Sequence, residues 1–416
     1  MQVSTTQPPA PPVAASSAAP TVPAPLDAPV LIAGGGIAGI TTALELAHQG
    51  VRSVVLEKRG PVATRQNLFN LVPPVLDNLQ RLDPGGELMS KVASVQSITI
   101  GAPGAPETKT RDFSTPQMAP DPTRSRGDVK ALLSSMQPPS VAGADNRRWG
   151  RIGIAELENA LRGFATSRFG DLIELRTDTA VTGARTVGDH VEATVQAGGA
   201  AAAQDTLRGA FLVDATAGRL DGGRWKRTGQ DATWVGTRFE GVDSTGTVMR
   251  TQPDPDGVHA RTNVVLEHPA RSIAWSQLPA GVDPATTDQA GRDAIAVADA
   301  RSVGVTGEQL PLPPGDRLQA RVRPGYNSSA VRGRIVTVGD GSREPFFPTS
   351  SGAAMAIVHD APIAADAIVA SLRDPGSKDH EMRSYAMRMS HANRALTTAS
   401  SARFEQLSGR LPDADE

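Results

Sequence analysis

Three glycines and one carboxylate have the clearest chemical use in this chain. Gly34, Gly36 and Gly39 lie in the turn Gly34-Gly35-Gly36-Ile37-Ala38-Gly39, and Glu57 ends the next apolar run. Gly34 permits a tight turn, Gly36 puts no Cβ between the backbone and a diphosphate, and Gly39 lets a helix pack closely on a strand. A helix starting at Ile37 and Ala38 would aim unpaired N–H groups and its positive dipole end at phosphates. Glu57 can accept both hydroxyls of an adenosine ribose and would repel a 2′-phosphate there, which favours FAD or NAD over NADP. Lys58 and Arg59 follow it and complete the candidate contact set.

These residues need particular elements to position them. Val30-Leu31-Ile32 reads as a strand buried on both faces. Ile40, Ala43, Leu44 and Leu46 recur at helical spacing, and Val54-Val55-Leu56 forms the second strand. Strand, glycine turn, helix, strand, acid is the dinucleotide-binding order.

The rest of the chain divides by texture. Residues 1–27 are nearly all Ala, Pro, Ser, Thr and Val, without the basic start of a secretory signal, and read as a tail. Leu71–Leu82 reads as a helix with prolines in its first turn, and Ser94–Ile100 as a strand. Residues 101–148 read as loop with a short hairpin bordering a ligand cavity. A helix starts at Ile152, with Leu157, Leu161 and Phe164 on one face. Buried strands are expected at 172–175, 180–184, 191–195 and Phe211–Asp214, the last running into the small-residue turn Ala215-Thr216-Ala217-Gly218. Residues 225–325 alternate as an antiparallel sheet, with a helix over 286–301. The buried strand of Gly333–Gly339 ends at Asp340, a helix spans Ala353–Leu372, and a packing helix covers Ser377–Leu407.

The distant pair Gly339-Asp340 gives the second chemical signal. Together with the glycine turn it resembles the FAD-dependent monooxygenases of the p-hydroxybenzoate hydroxylase class. The resemblance implies an α/β fold: a Rossmann-like, glutathione-reductase-type FAD-binding domain (28–224 plus 326–372), an inserted α+β substrate domain on an antiparallel sheet (225–325), and a C-terminal helical segment (373–416). It implies FAD as cofactor and NAD(P)H as transient reductant. Asp340 would hold the ribityl chain, and Pro348, Gly352 and Ala353 would lie beside the flavin ring. Arg65 would meet the diphosphate, Val181 would pass its backbone by the adenine, and Gly339 and Asp214 would complete the cofactor set. Arg65-Gln66-Asn67 and Ile152–Glu158 are similar to signatures of MICAL-type monooxygenases and of bacterial flavoprotein cyclases in polyketide pathways. The late motif departs from the family pattern at Ser350 or Ser351 and at Ala354, which stands in place of an asparagine.

Two functions follow from the resemblance. One is a monooxygenase that hydroxylates or epoxidises a hydrophobic secondary metabolite such as a polyketide. The other is a non-redox [4+2] cyclase, Diels-Alderase-like, with FAD as a structural element in antibiotic biosynthesis. Trp234, Trp275, Phe346 and Phe347 are candidate substrate residues, and no side chain stands out as catalytic. His359 reads as a packed or surface group. Arg343-Glu344 reads as a gate near the ring or a solvated pair.

Composition narrows the partners. Basic and acidic side chains number 42 and 44, giving a formal net charge of −2, so no broad basic field invites nucleic acid. There is no cysteine, which excludes disulfides and thiolate chemistry and fits a cytoplasmic setting. The seven histidines lack metal-ligand spacing, no apolar run reaches the length of a membrane span, and the chain is expected to act as a monomer or homodimer.

Overall fold

The computed structural model describes residues 28–101, 109–113, 120–124, 126–135, 147, 149–198, 203–218, 220, 225–228, 231–254, 260–279, 281–283, 286–312, 318–345 and 351–408. The tail expected over 1–27, and Phe346, Phe347 and Pro348, lie outside them.

Val30–Ala33 is almost completely excluded from solvent, as its unbroken apolar run requires. It is an inner strand of a six-stranded sheet. The order is Val331–Arg332, Ile335–Thr337, Phe211–Asp214, Val30–Ala33, Ser53–Leu56, Ile173–Arg176, and all pairings but the first are parallel. The two faces are covered differently. Leu31, Val54, Leu56, Leu212 and Ile335 pack on a three-stranded antiparallel layer through Val191, Ala193 and Val195. Val30, Ile32, Val55 and Val213 face the helices. The register places Ala33, Leu56, Asp214 and Thr337 at the carboxyl ends of neighbouring strands, where open α/β sheets bind ligands.

The second large sheet, antiparallel except for the parallel pairing of Thr247–Pro253 with Ser97–Gly101, has eight strands among the described residues. Ala232–Glu240, Arg271–Gln277, Ala260–Leu266 and Thr247–Pro253 pair in that order, and Ser97–Gly101 and Lys109–Asp112 extend it. The hairpin expected in the loop-like section therefore joins this sheet from outside 225–325. Arg151, fully buried, ties the sheet to the flanking strands. Its guanidinium donates to Asn70 Oδ1 at 2.9 and 3.0 Å, to the Gly246 carbonyl at 2.7 Å, and to Thr247 Oγ1 and the Glu267 carbonyl. Burial lowers its pKa to about 9.

Two expectations about elements change. Ile152 is not helical: Gly150–Gly153 is a strand whose Ile152 pairs with Phe69, and the helix begins at Ile154. The apolar helix near the C-terminus, Gly352–Arg373, does have the length and hydropathy to cross a membrane. However, 83% of its apolar window is buried inside the protein, so the core uses that apolarity. Within it, Ala356–Asp360 forms a turn of π-helix. The last helix, Lys378–Ser408, buries Met382, Tyr385, Met389 and Ala392 against this core, and the Tyr385 hydroxyl donates to the Thr337 carbonyl at 2.8 Å.

Candidate functional site

The glycine turn folds as its residues require. Gly34 has φ +103°, and a Cβ on it would stand 2.7 Å from the Ala215 carbonyl oxygen. A Cβ on Gly39 would stand 1.9 Å from the Gly34 oxygen, so no other residue fits there. The Ile37–His48 helix starts at Gly36 with no side-chain cap and no acid in its first turn. Its first N–H groups are therefore left for an anion. Gly34, Gly36 and Ala38 remain partly exposed and line the cleft, while Ile37 and Gly39 are buried behind them.

Glu57 is at the expected strand end but is nearly sealed, at 2% exposure. One carboxylate oxygen accepts the Gly35 N–H at 2.8 Å, and the other accepts the Arg59 N–H and Nε at 2.9 Å. Burial alone would raise its pKa. The bonds from the Arg59 side chain and backbone, with the Gly35 N–H, outweigh burial and hold it below the usual range. Lys58 is exposed beside it. Thr179 N–H donates to the Glu57 carbonyl at 2.9 Å, which brings the strand carrying Val181 to the same edge. Asp214 is fully buried and folds back on its own turn, accepting from Thr216 N–H at 3.0 Å and from the Thr216 hydroxyl at 2.6 Å.

The second signal reaches the same cleft. Gly339 adopts φ +65°, and a Cβ on it would stand 2.8 Å from that of Ala38, so the two motifs touch. Asp340 projects from this turn into the open cleft. It is exposed to solvent, and the desolvation by surrounding protein raises its pKa against the opposing charges of Arg343 and Arg65. No hydrogen bond holds its carboxylate among the described residues. A Cβ on Gly352 would stand 2.7 Å from Asp340 Oδ1, so the helix carrying Gly352 and Ala353 begins beside it.

Arg162, Asp360 and Asn393 join this region without carrying a sequence motif, beside Arg343, Arg65 and Glu158. Arg343 is neither a gate nor solvated: it is fully buried and paired with Asp360, and its Nε donates to Asn393 Oδ1 at 2.5 Å. Asp360 also accepts the Gly339 N–H at 3.0 Å, so this network supports the Asp340 turn from behind. His359 is packed, as expected, with Nδ1 3.2 Å from Asp360. Arg162 donates to the Gly35 carbonyl at 2.9 Å and lies 3.5 Å from Glu57. Arg65 is half-exposed and pairs with Glu158, which is fully buried. Glu158 and Arg162 are one helical turn apart, a spacing that could have flagged them as one charged face.

The substrate-side tryptophans sit in the large sheet. Trp234 is completely buried in its core. Trp275, 3% exposed, donates its indole N–H to Asn67 Oδ1 at 3.0 Å, fixing the sheet beside the Arg65 loop.

A sequence family described as an FAD binding domain matches residues 27–67. The flavin-dependent halogenase CmlS is similar in structure, with a TM-score of 0.68 at 19% identity over 88% of this chain; the chain spans 62% of that protein's length. The p-nitrophenol 4-monooxygenase PnpA from Pseudomonas putida DLL-E4 gives a TM-score of 0.68 at 18% identity, over 94% of this chain and 91% of that one. Residues 27–67 thus match an FAD binding domain, and the chain shares its fold with these flavin-dependent enzymes. Aklavinone-11 hydroxylase, solved with FAD and aklavinone, gives a TM-score of 0.65 at 19% identity, over 92% of this chain and 70% of that one. No curated protein matches by sequence. The finer placement beside MICAL-type enzymes rests on the sequence resemblance alone.

These residues fit FAD: the uncapped helix end could take a diphosphate, the Asp340 carboxylate, which no described residue hydrogen-bonds, could accept from sugar hydroxyls, and glycines stand where a Cβ would collide.

Proposed function

We propose that this protein is an FAD-dependent tailoring monooxygenase that hydroxylates or epoxidises a hydrophobic small molecule such as a polyketide. The observation that carries this is the meeting of two motifs about 300 residues apart at one cleft, through Gly339 against Ala38. No described residue hydrogen-bonds the Asp340 carboxylate there. The fold shared with a hydroxylase and a monooxygenase supports the reading.

Bound FAD, reduced by NAD(P)H, supplies the oxygen-activating chemistry. The chain's own residues bind and orient. The N–H groups at Gly36–Gly39 take the diphosphate, Arg65 adds a countercharge, and Val181 passes the adenine. Glu57 lies at the ribose end of the site, and Asp340 accepts from the ribityl hydroxyls. The sheet joined through Trp275 and Asn67 walls off water on the substrate side. The proposed enzyme works in the cytoplasm, as a monomer or homodimer.

A second reading, a non-redox cyclase with structural FAD, is favoured by one departure. Ala354, in place of the family's asparagine, is 1% exposed and offers no polar group toward the ring. Product mass separates the two. Protein supplied with FAD, NADPH and a polyketide substrate should give a product heavier by one oxygen atom, with bleaching of the yellow flavin. An isomer of equal mass formed while the flavin stays oxidised would establish the cyclase instead.

A further inference from the structure

A cavity of about 410 Å³ lies outside the flavin cleft, lined by Trp225, Arg227, Arg321, Arg323 and Glu344. Trp225 and Arg227 are two apart on one strand, so their side chains leave it on the same face. Arg321 belongs to the strand Gln319–Val322, where it pairs with Thr233 and so points away from the face that carries Trp234. The cavity is therefore separate from the apolar cluster around Trp234 and Trp275. Its three guanidiniums are loosely neutralised. Asp231 lies 3.4 Å from Arg321 and 3.9 Å from Arg323, against about 2.7–2.9 Å for a close charged hydrogen bond. Both arginines are half-exposed, so these pairs are screened as well. Arg227 donates to the Arg323 carbonyl at 2.8 Å and forms no ion pair with a described carboxylate. Glu344, the acid in the lining, accepts the Arg323 N–H at 3.0 Å, and burial raises its pKa against that bond and the charges of Arg227 and Arg323. The half-buried Trp225 adds a flat face, and no described residue accepts its indole N–H.

The cavity adjoins the flavin site from the side of the Asp340 turn. Trp225 Cζ2 lies 3.8 Å from the point a Cβ on Gly218 would occupy, and Gly341 Cα lies 3.7 Å from the same point. Glu344 leads to Pro345, whose Cγ is 4.0 Å from the point a Cβ on Gly352 would occupy, at the start of the helix expected beside the ring. We propose that this cavity anchors the acidic end of the substrate: a carboxylate or phosphate meets Arg227, Arg321 and Arg323, and an attached flat, unsaturated segment lies on Trp225. This rests on the flavoenzyme reading above, and it gives the hydrophobic substrate a charged handle outside the sheet's apolar interior. Guanidiniums suit both anions, which they bind through paired N–H groups. A planar conjugated segment stacks on an indole. A phosphate of the nicotinamide reductant has the same chemistry, and the test separates the two.

Calorimetric titration of the FAD-loaded full chain with 2-naphthoate, 2-naphthyl phosphate and the neutral 2-naphthamide tests this. The two anions should bind at least about tenfold more tightly than the amide, and more weakly as salt rises. Arg321→Gln combined with Arg323→Gln should weaken both anions by about tenfold or more and leave the amide unchanged. Arg250→Gln removes an exposed arginine outside the cavity and should change nothing, which controls for lost net charge. Anions that bind no better than the amide overturn the proposal, as does a folded double variant that binds them like wild type. So does displacement of naphthoate by NADPH together with a raised KM for NADPH in the double variant, since the site then belongs to the reductant. Flavin absorbance in the same samples reads FAD content. A chain that takes up no FAD defeats the function proposed above, whereas one that holds FAD and ignores the anions defeats this inference alone.

Discussion

Glu57 and Asp340 each follow a strand of the parallel sheet and face one cleft, yet their surroundings treat them oppositely. Glu57 is sealed under Gly35 and Arg59 and is held ionised by the groups it binds. Asp340 is exposed to solvent and hydrogen-bonded by no described residue, and desolvation by the surrounding protein raises its pKa. The first carboxylate has a structural task that persists without ligand. The second makes no hydrogen bond to any described residue, so its oxygens are available to a ligand.

The comparison can be broken most severely from behind. Asp360→Ala leaves the Arg343 guanidinium buried without its carboxylate and removes the acceptor of the Gly339 N–H. Loss of a buried pair of this kind costs about 3–5 kcal/mol, which urea unfolding of the variant would read. If stability is unchanged, the network does not hold the turn.

Removing the sealed carboxylate comes next. Glu57→Ala orphans the Gly35 N–H and should destabilise by about 1–3 kcal/mol even without flavin. Asp340→Asn should do the reverse: stability within about 0.5 kcal/mol of wild type, with FAD held at least about tenfold more weakly. Should Asp340→Asn unfold the chain and Glu57→Ala spare it, the assignment of tasks is inverted.

The smallest effect lies in acid titration of the flavin-free chain. Glu57, with its pKa depressed on folding, contributes stability that is present above the usual carboxylate range and fades as pH falls below it. Asp340, with its pKa raised, contributes in the opposite sense: its share is full at low pH and is lost as pH rises through its folded value. Comparing unfolding midpoints of the two variants between pH 3 and 6 should show Glu57→Ala losing more at the upper end. Asp340→Asn should gain there.

Local chemistry decides how much of this could be read from residues alone. Gly34, Gly39 and Glu57 sit in one contiguous stretch, where backbone sterics dictate residue type, so that end of the cleft is legible. The buried strands and most of the antiparallel sheet follow from apolar runs and alternation. Ile152 was misleading because an apolar residue suits a strand as well as a helix start, and only the pairing with Phe69 decides. Glu158, Arg162, Asp360 and Asn393 gain their importance from partners distant in sequence. Arg343 looked like half of a surface pair because its neighbour is Glu344, whereas its true counterion is 17 residues away. Trp234 and Trp275 were attractive as cavity residues because of their size, and that size is what fills the sheet's interior.

The π-turn at Ala356–Asp360 makes this part of the chain respond to a change of length in a way its neighbours do not. A π-turn accommodates one residue more than the α-helix around it. Deleting a single residue there, such as Val358, would let the segment rewind as regular α-helix. Each residue turns an α-helix by roughly 100°, so the deletion leaves the two flanking helices in phase and costs the bulge alone. Asp360 lies at the end of that bulge, and it would lose its aim at Gly339 and Arg343 while the fold around it survived. The protein's register in this helix is thus set by one surplus residue, and a chain shortened by one at that point would be well folded but misaligned for its cofactor.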